Sequence, residues 1–210
     1  MHRKCIVVTD MGTSFTGTMS GMAADGHFKL FTSYALCSMG FGLPGAIGAY
    51  FADPTKTIVC IAGDGGLQMN IQELQTIVQY KIPMKIFVLN NSGYAAITSM
   101  QDNLFKGEHA AATAETGVSS PIFTNIAKAY GIPTSYIIED ENLFTGIRTC
   151  LSTNQAMLCE IKLDISQPQI PKVQSYTDEQ GKIRSSALDH MFPYLDANYE
   201  NFIKESLNDL

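Results

Sequence analysis

The sequence predicts an α/β protein, a doubly wound and mainly parallel sheet of about six strands with helices on both faces. Three observations predict this class. Apolar runs of strand length recur along the chain, stretches with helical spacing of apolar residues separate them, and turns rich in glycine or asparagine follow several of the runs. Strands that alternate with helices in this way are typical of parallel sheets covered on both sides.

The clearest unit is the stretch 58–96. An apolar strand at 58–62 leads into a glycine turn at 63–66, and a helical pattern at 67–80 follows. A second apolar strand at 86–89 ends at an asparagine pair, 90–91. This is a βαβ unit, and its right-handed crossover brings the carboxyl ends of both strands to one edge of a parallel sheet.

The remaining elements continue the alternation on both sides of this unit. The sequence predicts strands at 5–8, 28–31, 135–138 and 157–163, helices after residue 12, after 41, from 92, at 122–130 and at 141–151, and an irregular loop at 103–121.

The predicted domain organisation is an α/β domain at 1–165 followed by a tail at 166–210. Composition changes there, because Pro168, Pro171 and a polar turn interrupt the pattern of strands and helices. Asp196 is placed to cap a short terminal helix, whose apolar residues would be Tyr199, Phe202, Ile203 and Leu207.

Composition excludes several function classes. The chain has 210 residues, 45% of them hydrophobic, and a formal net charge of −6, and its few basic residues are scattered, so no nucleic-acid footprint is expected. The apolar runs are too short for a membrane span or a signal peptide. Five cysteines form no CxxC motif. A reduced, cytoplasmic compartment is therefore expected.

Two polar side chains follow neighbouring strands of the central unit. Asp64 and Asn91 lie just beyond strand ends, where open α/β sheets bind ligands, and the helix that follows offers free N–H groups suited to an anion. No Lys or Arg occurs within 58–80, so a diphosphate held here would need a metal to neutralise it. Carboxylate and amide oxygens are ligands of the kind that Mg²⁺ accepts.

These residues resemble the signature of thiamine diphosphate (ThDP) enzymes, GDG followed after about 25 residues by NN. Here GDG stands at 63–65, and 24 residues separate it from NN at 90–91. The alternative is a pair of ordinary turns in an α/β domain. The resemblance implies that Asp64, Asn91 and the main-chain oxygen of Gly93 bind Mg²⁺.

The stretch MGFGLPGAIGA at 39–49 is similar to its counterpart in acetolactate synthases. That similarity implies that Met39 is a wedge beneath the cofactor and that the carbonyl of Cys37, where the family commonly has glycine, contacts the pyrimidine ring. The alternative for Met39 is core filling. The glycines at 40, 42 and 45 also match the dinucleotide fingerprint GxGxxG, but no strand is predicted directly before them, as that fingerprint requires.

Near the first strand, Thr13 and Ser14 are implied by the resemblance to contact the diphosphate, and both are also good candidates for a helix N-cap. The sequences at 12–15 (GTSF) and 90–94 (NNSGY) resemble those of pyruvate decarboxylases more closely than those of acetolactate synthases. The cofactor-binding set that the resemblance implies is Thr13, Ser14, Cys37, Met39, Gly63, Asp64, Gly65, Gly66, Asn91, Gly93 and Tyr94.

The resemblance covers only the pyrophosphate-binding (PP) domain of this family. Its enzymes also need a PYR domain, which supplies a glutamate that activates the cofactor, and no stretch here carries that motif. Glu73 falls in the central helix, at the diphosphate end. No catalytic residue is therefore assigned to this chain, and a PYR domain is expected on the same longer chain or on a separate subunit, in a homo-oligomer (dimer or tetramer).

The resemblance implies an enzyme that decarboxylates a pyruvate-like 2-keto acid and transfers the acyl unit to a carbonyl acceptor. Met100 occupies the place where acetolactate synthases usually carry a tryptophan, and the chain has no Trp. A simple 2-keto acid decarboxylase and a non-catalytic ThDP-binding module therefore stay open as alternatives.

Overall fold

A computed structural model describes residues 5–23, 26–138 and 140–196, together with 198, 199, 201 and 206. Its centre is a sheet of six parallel strands, in the order β2-β1-β3-β4-β6-β5. The strands are β1 (Cys5–Thr9), β2 (Phe28–Phe31), β3 (Thr57–Gly63), β4 (Lys85–Asn90), β5 (Thr134–Ile137) and β6 (Met157–Lys162).

Helices connect the strands and lie over both faces of the sheet. They are α1 (Thr13–Gly21), α2 (Gly42–Ala52), α3 (Asp64–Met69), α4 (Leu74–Gln79), α5 (Ala95–Phe105), α6 (Phe123–Ala129) and α7 (Leu143–Ser152). The α/β class predicted from the sequence is confirmed, and so is the central unit, because β3 and β4 pair in parallel.

Alternate residues of the strands build two cores. On one face, Val8, Cys60 and Ile86 pack with apolar residues of α2, α4 and α6. On the other, Val59 and Phe87 pack against α7 and the end of α1. A strand that is buried on both faces is apolar throughout, which is why the central strands read as continuous apolar runs.

The helix predicted at 67–80 is wrong in two respects. It begins earlier, at Asp64, and it is interrupted: α3 and α4 are separated by Asn70, with φ −132° and ψ 34°, and by a 3-10 turn, Ile71–Glu73. The Asn70 side chain donates a hydrogen bond to the Gly40 carbonyl (2.7 Å). That tertiary contact accompanies the break, and periodicity could not reveal it.

The helix predicted from residue 92 begins later. Ser92 has φ 63°, a left-handed conformation that a helix cannot continue, and α5 starts at Ala95. The same helix runs to Phe105, into the segment predicted as irregular loop.

Two compact units divide the described chain. The first comprises Met1–Thr98 and His109–Gln167 and holds the six-stranded sheet. The second comprises Ser99–Glu108 and Pro168–Leu210. It contains an antiparallel hairpin of β7 (Ser175–Thr177) and β8 (Ile183–Ser185).

The polar turn predicted near residue 180 joins these two hairpin strands. Gly181 has φ 77° and donates its N–H to the Asp178 carbonyl (2.9 Å). The predicted terminal helix falls mostly on residues outside the described part of the chain.

A short turn at residues 53–56 links α2 to the amino end of β3. Asp53 holds it, accepting hydrogen bonds from the Thr55 N–H and hydroxyl (3.1 and 2.5 Å). Because all six strands are parallel, this turn lies at the sheet edge opposite the strands' carboxyl ends. Within the described residues, none of the helices has the length and apolar character needed to span a bilayer.

Candidate functional site

Asp64 is the first residue of α3, at the carboxyl end of β3, and it is buried, with 3% of its surface exposed. Its Oδ1 accepts a hydrogen bond from the Gly65 N–H (2.8 Å). Its Oδ2 accepts from the Gly93 N–H (3.1 Å) and the Ser120 hydroxyl (2.9 Å). Burial raises the pKa of this carboxyl, and the hydrogen bond from Ser120 opposes that rise.

Asn91 directly follows the last residue of β4 and is also buried. Its Oδ1 is a buried atom without a hydrogen-bond partner within the described residues. Such an atom costs free energy unless a ligand or ion satisfies it. Two residues on, Gly93 contacts Asp64, so β3 and β4 bring the two predicted motifs together.

Gly93 has no room for a side chain. A Cβ there would lie 2.8 Å from the Ala112 carbonyl oxygen and 3.0 Å from Ile165 Cδ1. The next residue, Tyr94, donates its N–H to the same Ala112 oxygen (2.9 Å). Glycine at this position therefore lets the turn after β4 approach both Asp64 and the loop around Ala112.

Gly65 lies between two residues of the predicted cofactor set. A Cβ at Gly65 would be 2.7 Å from the Met39 Cε and would also collide with the Tyr94 ring. Met39 is 40% exposed, so it does not fill the core, which was the alternative reading of this residue. The structure brings Met39, Gly65 and Tyr94 into one cluster.

Asp10, which the sequence analysis did not assign to the site, holds the loop that carries Met39. It is fully buried at the end of β1, and its carboxylate accepts from the N–H groups of Met11 (2.8 Å), Gly40 (3.0 Å) and Gly42 (2.8 Å). A Cβ at Gly66 would lie 2.6 Å from the Asp10 Cγ. Asp10 thus ties the turn after β1 to the loop before α2 and to the turn after β3.

Cys37 is exposed and has φ 51°, in the left-handed region. This conformation raises the free energy of a residue with a Cβ by about 1–2 kcal/mol, and it carries no such penalty for glycine. This explains physically why glycine suits the position. Residues 37–39 form no strand, so the prediction that no strand directly precedes the GxGxxG match is confirmed.

Thr13 and Ser14 occupy the first turn of α1, and neither is its N-cap. That position belongs to Gly12, with φ 80°, so the N-cap alternative for the two hydroxyl residues is wrong. The Ser14 hydroxyl is buried and lies within hydrogen-bond distance of the Asp10 and Met11 carbonyls (both 3.0 Å). Its proton is therefore engaged inside the protein, whereas Thr13 is only partly buried at the helix start.

Gly63 closes β3 in extended backbone, with φ −73° and ψ 163°. Apart from its chain neighbours, none of the residues that the structure describes has an atom within 4 Å of where its Cβ would be. The α3 helix that follows has only six residues. Its dipole is correspondingly short, which leaves more of the neutralisation of an anion to a cation.

The donor set fits a hard divalent cation. The Asp64 carboxylate, the unpartnered Asn91 Oδ1 and the Gly93 carbonyl are all oxygens, the ligand type that Mg²⁺ takes together with phosphate oxygens. Among the described residues, no group of three or more His, Cys, Asp or Glu side chains could hold a metal by itself. A cation held here would depend on ligands beyond protein carboxylates.

Sequence reasoning missed Ser120 and Glu160 as well as Asp10. Glu160 is 1% exposed and accepts from the Asn90 Nδ2 (2.6 Å) and the Thr124 N–H (2.9 Å). A carboxylate inside the apolar run 157–163 was a readable signal for it, and the position of Asp10 after a buried strand was another. Ser120 lies in the segment predicted as irregular loop and offered no such signal.

Comparison with known proteins agrees with this geometry. The family model described as "Thiamine pyrophosphate enzyme, C-terminal TPP binding domain" matches residues 10–161. The acetolactate synthase isozyme 2 large subunit of Escherichia coli (strain K12) is 32% identical over 160 residues, covering 76% of this chain and 29% of the relative. The isozyme 3 large subunit of the same organism is 34% identical over 163 residues, covering 76% and 26%.

The acetolactate synthase large subunit of Haemophilus influenzae is 37% identical over 136 residues, which is 64% of this chain and 23% of the relative. The chain thus spans less than a third of the length of these relatives. The resemblance read from the GDG and NN motifs is confirmed. The chain belongs to the thiamine pyrophosphate enzyme family, in which it corresponds to the C-terminal TPP-binding domain.

Proposed function

We propose that this chain is the cofactor-binding half of a ThDP- and Mg²⁺-dependent enzyme that decarboxylates a pyruvate-like 2-keto acid and transfers the acyl unit to a carbonyl acceptor. The observation that carries the proposal is the buried, unpartnered Asn91 Oδ1, in the turn whose Gly93 contacts Asp64. It supports a cation at this point, and the absence of Lys and Arg from 58–80 supports the same conclusion for a bound diphosphate.

The residues would divide the work by chemistry. Asp64, Asn91 and the Gly93 carbonyl would hold Mg²⁺, while the Thr13 hydroxyl and the backbone at Gly63 and Gly66 would face the diphosphate. Gly63 suits that role because it has no side chain to limit the approach of a ligand, whereas the space beside the Gly66 Cα is taken by Asp10 and only its backbone N–H is offered.

The ring system of the cofactor would meet a second group of residues. Met39 and Tyr94, which both lie beside the Gly65 Cα, would pack against it, and the Cys37 carbonyl would accept a hydrogen bond from its pyrimidine. Ser14 would hold the turn after β1 in place, because its hydroxyl hydrogen-bonds the Asp10 and Met11 carbonyls. When bound, ThDP supplies a carbon nucleophile and an electron sink for decarboxylation.

This chain would provide the anchor and not the activating acid. Glu73 lies in the 3-10 turn between α3 and α4 and accepts a hydrogen bond from the Thr76 hydroxyl (2.8 Å). A PYR domain, on the same longer chain or on another subunit of a homodimer or homotetramer, would supply the acid. The five cysteines are all free in the structure, which favours a reducing compartment such as the cytoplasm.

A simple 2-keto acid decarboxylase is the second candidate. The sequences at 12–15 and 90–94 favour it. Met100 favours it too, because it stands where acetolactate synthases usually carry a tryptophan. A non-catalytic ThDP-binding module is the third, and it is disfavoured because Asp64 and Asn91 are both retained.

Calorimetric titration with ThDP tests the proposal. The full chain should bind ThDP with Mg²⁺ present and lose that affinity in excess EDTA, because no basic side chain in 58–80 can replace the metal. Asp64→Ala should abolish binding, whereas Asp53→Ala, at the opposite sheet edge, should leave it unchanged. Equal affinity in EDTA would remove the metal assignment, and unimpaired binding by Asp64→Ala would remove the site.

A further inference from the structure

We infer that Glu160 is a positioning residue for the metal-binding turn after β4. It would act through Asn90, and it would require a carboxylate rather than any polar side chain. The inference rests on the proposed function for the role of that turn, but the local geometry it invokes is a property of this chain alone.

The contacts of Glu160 are those of a bridge between two elements. It is buried on β6, with 1% of its surface exposed, and its two carboxylate oxygens serve different partners. Oε1 accepts from the Asn90 Nδ2 (2.6 Å), and Oε2 accepts from the Thr124 N–H (2.9 Å) in the first turn of α6. A buried carboxylate is tolerated only when such donors satisfy it.

Strand register brings Glu160 to this place. In the β4–β6 pairing, Val88 stands opposite Glu160 and Asn90 stands opposite Lys162. Glu160 and Asn90 therefore lie on the same face of the sheet, two positions apart along the strands. A glutamate is long enough to span that diagonal.

Asn90 passes the constraint on to the turn. Because its Nδ2 is held by Glu160, its Oδ1 is directed to the Ser92 N–H, from which it accepts a hydrogen bond (2.9 Å). That bond closes the turn around Asn91, and Ser92 adopts φ 63°. The residues on either side of Asn91 are thus fixed, while the Asn91 Oδ1 finds no hydrogen-bond partner in the part of the chain that the structure describes.

Other contacts from β6 reach the same turn. The Leu163 N–H donates to the Asn90 carbonyl (2.8 Å), and the Lys162 ammonium donates to the Ser92 hydroxyl. Glu160 is the one of the three that joins the turn to α6, since its second oxygen is engaged at Thr124. The structure therefore assigns to it the orientation of the Asn90 amide.

The need for a carboxylate follows from counting donors. Both partners of Glu160 are N–H donors, so both of its oxygens must accept. Glutamine offers one acceptor and one NH₂ group, and its NH₂ would face a donor whichever way the amide is turned. Glu160→Gln should consequently break one hydrogen bond at nearly unchanged volume.

A compensating pair of substitutions provides the test. In Glu160→Gln combined with Asn90→Asp, the new aspartate can accept from the Ser92 N–H and from the glutamine NH₂, while the glutamine oxygen accepts from Thr124. The double variant therefore keeps all three hydrogen bonds, between residues 90 and 92, 90 and 160, and 124 and 160. Only the bond between residues 90 and 160 exchanges its donor and acceptor. The single variant should weaken Mg²⁺-dependent ThDP binding at least tenfold, the range seen when outer-shell partners of metal ligands are removed, and the double variant should recover most of it.

A matched control separates positioning from general destabilisation. Lys85 lies at the other end of β4, where its ammonium is bonded to Thr153 (2.7 and 2.8 Å) and the Gln155 carbonyl (2.5 Å). Lys85→Met should lower the melting temperature without changing ThDP affinity. If Glu160→Gln does only the same, or if the double variant fails to recover binding, the inference is overturned.

Hydrogen exchange read by NMR in the cofactor-free chain makes the inference independent of the proposed function. Glu160→Gln should speed exchange of the Ser92 and Gly93 amides selectively, and the double variant should restore protection. If the wild-type chain did not bind ThDP, the proposed function would fail while this measurement still decided the inference. Unchanged exchange at Ser92 would overturn the inference even if wild-type binding were intact.

Discussion

The carboxylate of Asp10 occupies the space that a side chain at Gly66 would need. A Cβ there would lie 2.6 Å from both Cγ and Oδ1 of Asp10, and that carboxylate cannot move freely because three backbone N–H groups hold it. The glycine is required by packing rather than by backbone conformation, since its φ is not in the positive region. Its neighbour Gly65 is limited by the Met39 methyl and the Tyr94 ring instead.

Gly66→Ala should therefore lower the free energy of unfolding by about 1–3 kcal/mol, the usual cost of inserting a methyl group into a packed region. The matched control is Gly48→Ala in α2, where, apart from its chain neighbours and the backbone of its own helix, no described residue has an atom within 4 Å of the added Cβ. That variant should stabilise by roughly 0.5–1 kcal/mol, because alanine is the better helix former. Urea unfolding of the three chains measures both, and equal stability of the two variants would contradict the packing argument.

Among the residues, those with local chemical signals were the predictable ones. Asp64 and Asn91 could be proposed because each polar side chain follows an apolar strand, and the structure links their turns through Gly93. Ser120 was missed because its link to Asp64 spans 56 positions along the chain, and nothing near it in sequence marks that role.

Among the elements, the strands of the central sheet were predictable and the helix between β3 and β4 was not. Burial on both faces makes a strand apolar throughout, and that signal is local. The break between α3 and α4 coincides with the hydrogen bond from Asn70 to the Gly40 carbonyl, a partner 30 residues away. Periodicity continues across the break because apolar residues on both sides still face one core.

Asn70→Ala should lower the free energy of unfolding by about 1–2 kcal/mol, because the Gly40 carbonyl would lose the hydrogen bond that the Asn70 side chain donates to it. Gln72→Ala is the control, since Gln72 is exposed and its contact with Asn70 is long (3.4 Å). Thermal unfolding of both variants measures the difference. Because alanine is the better helix former at both positions, helix propensity cannot explain a loss, and an equal loss after Gln72→Ala would contradict a specific role for the hydrogen bond from Asn70 to Gly40.

On the scale of the whole molecule, the parallel sheet order places every cofactor residue of the proposed set at one edge, and all of them belong to the first compact unit. The fold could be predicted to this level because alternation of strands and helices dictates a parallel sheet. The acyl acceptor could not be predicted, because the proposed reaction pocket would be shared with a PYR domain.

The full chain with ThDP and Mg²⁺ should release no carbon dioxide from pyruvate, because the acid that activates the cofactor is expected on a PYR domain. Adding a PYR-domain polypeptide of an acetolactate synthase should restore turnover, and the product, acyloin or aldehyde, separates the two enzyme candidates. An Asp64→Ala chain with the same partner is the control and should stay inactive. Turnover by the chain alone would place the activating acid among its own residues.

The turn at 53–56 has a practical consequence for anyone who wishes to label or tether this protein. It lies at the amino edge of the sheet, a strand length from the proposed ligand edge, and its hydrogen bonds reach only from Ala49 to Lys56. The entropic cost of closing a loop rises only slowly with its length, so a peptide inserted there should be tolerated. The insertion would remove no contact of the proposed cofactor residues. This turn is therefore a natural attachment point for a fluorophore, an affinity handle or a surface anchor that does not touch the proposed binding edge.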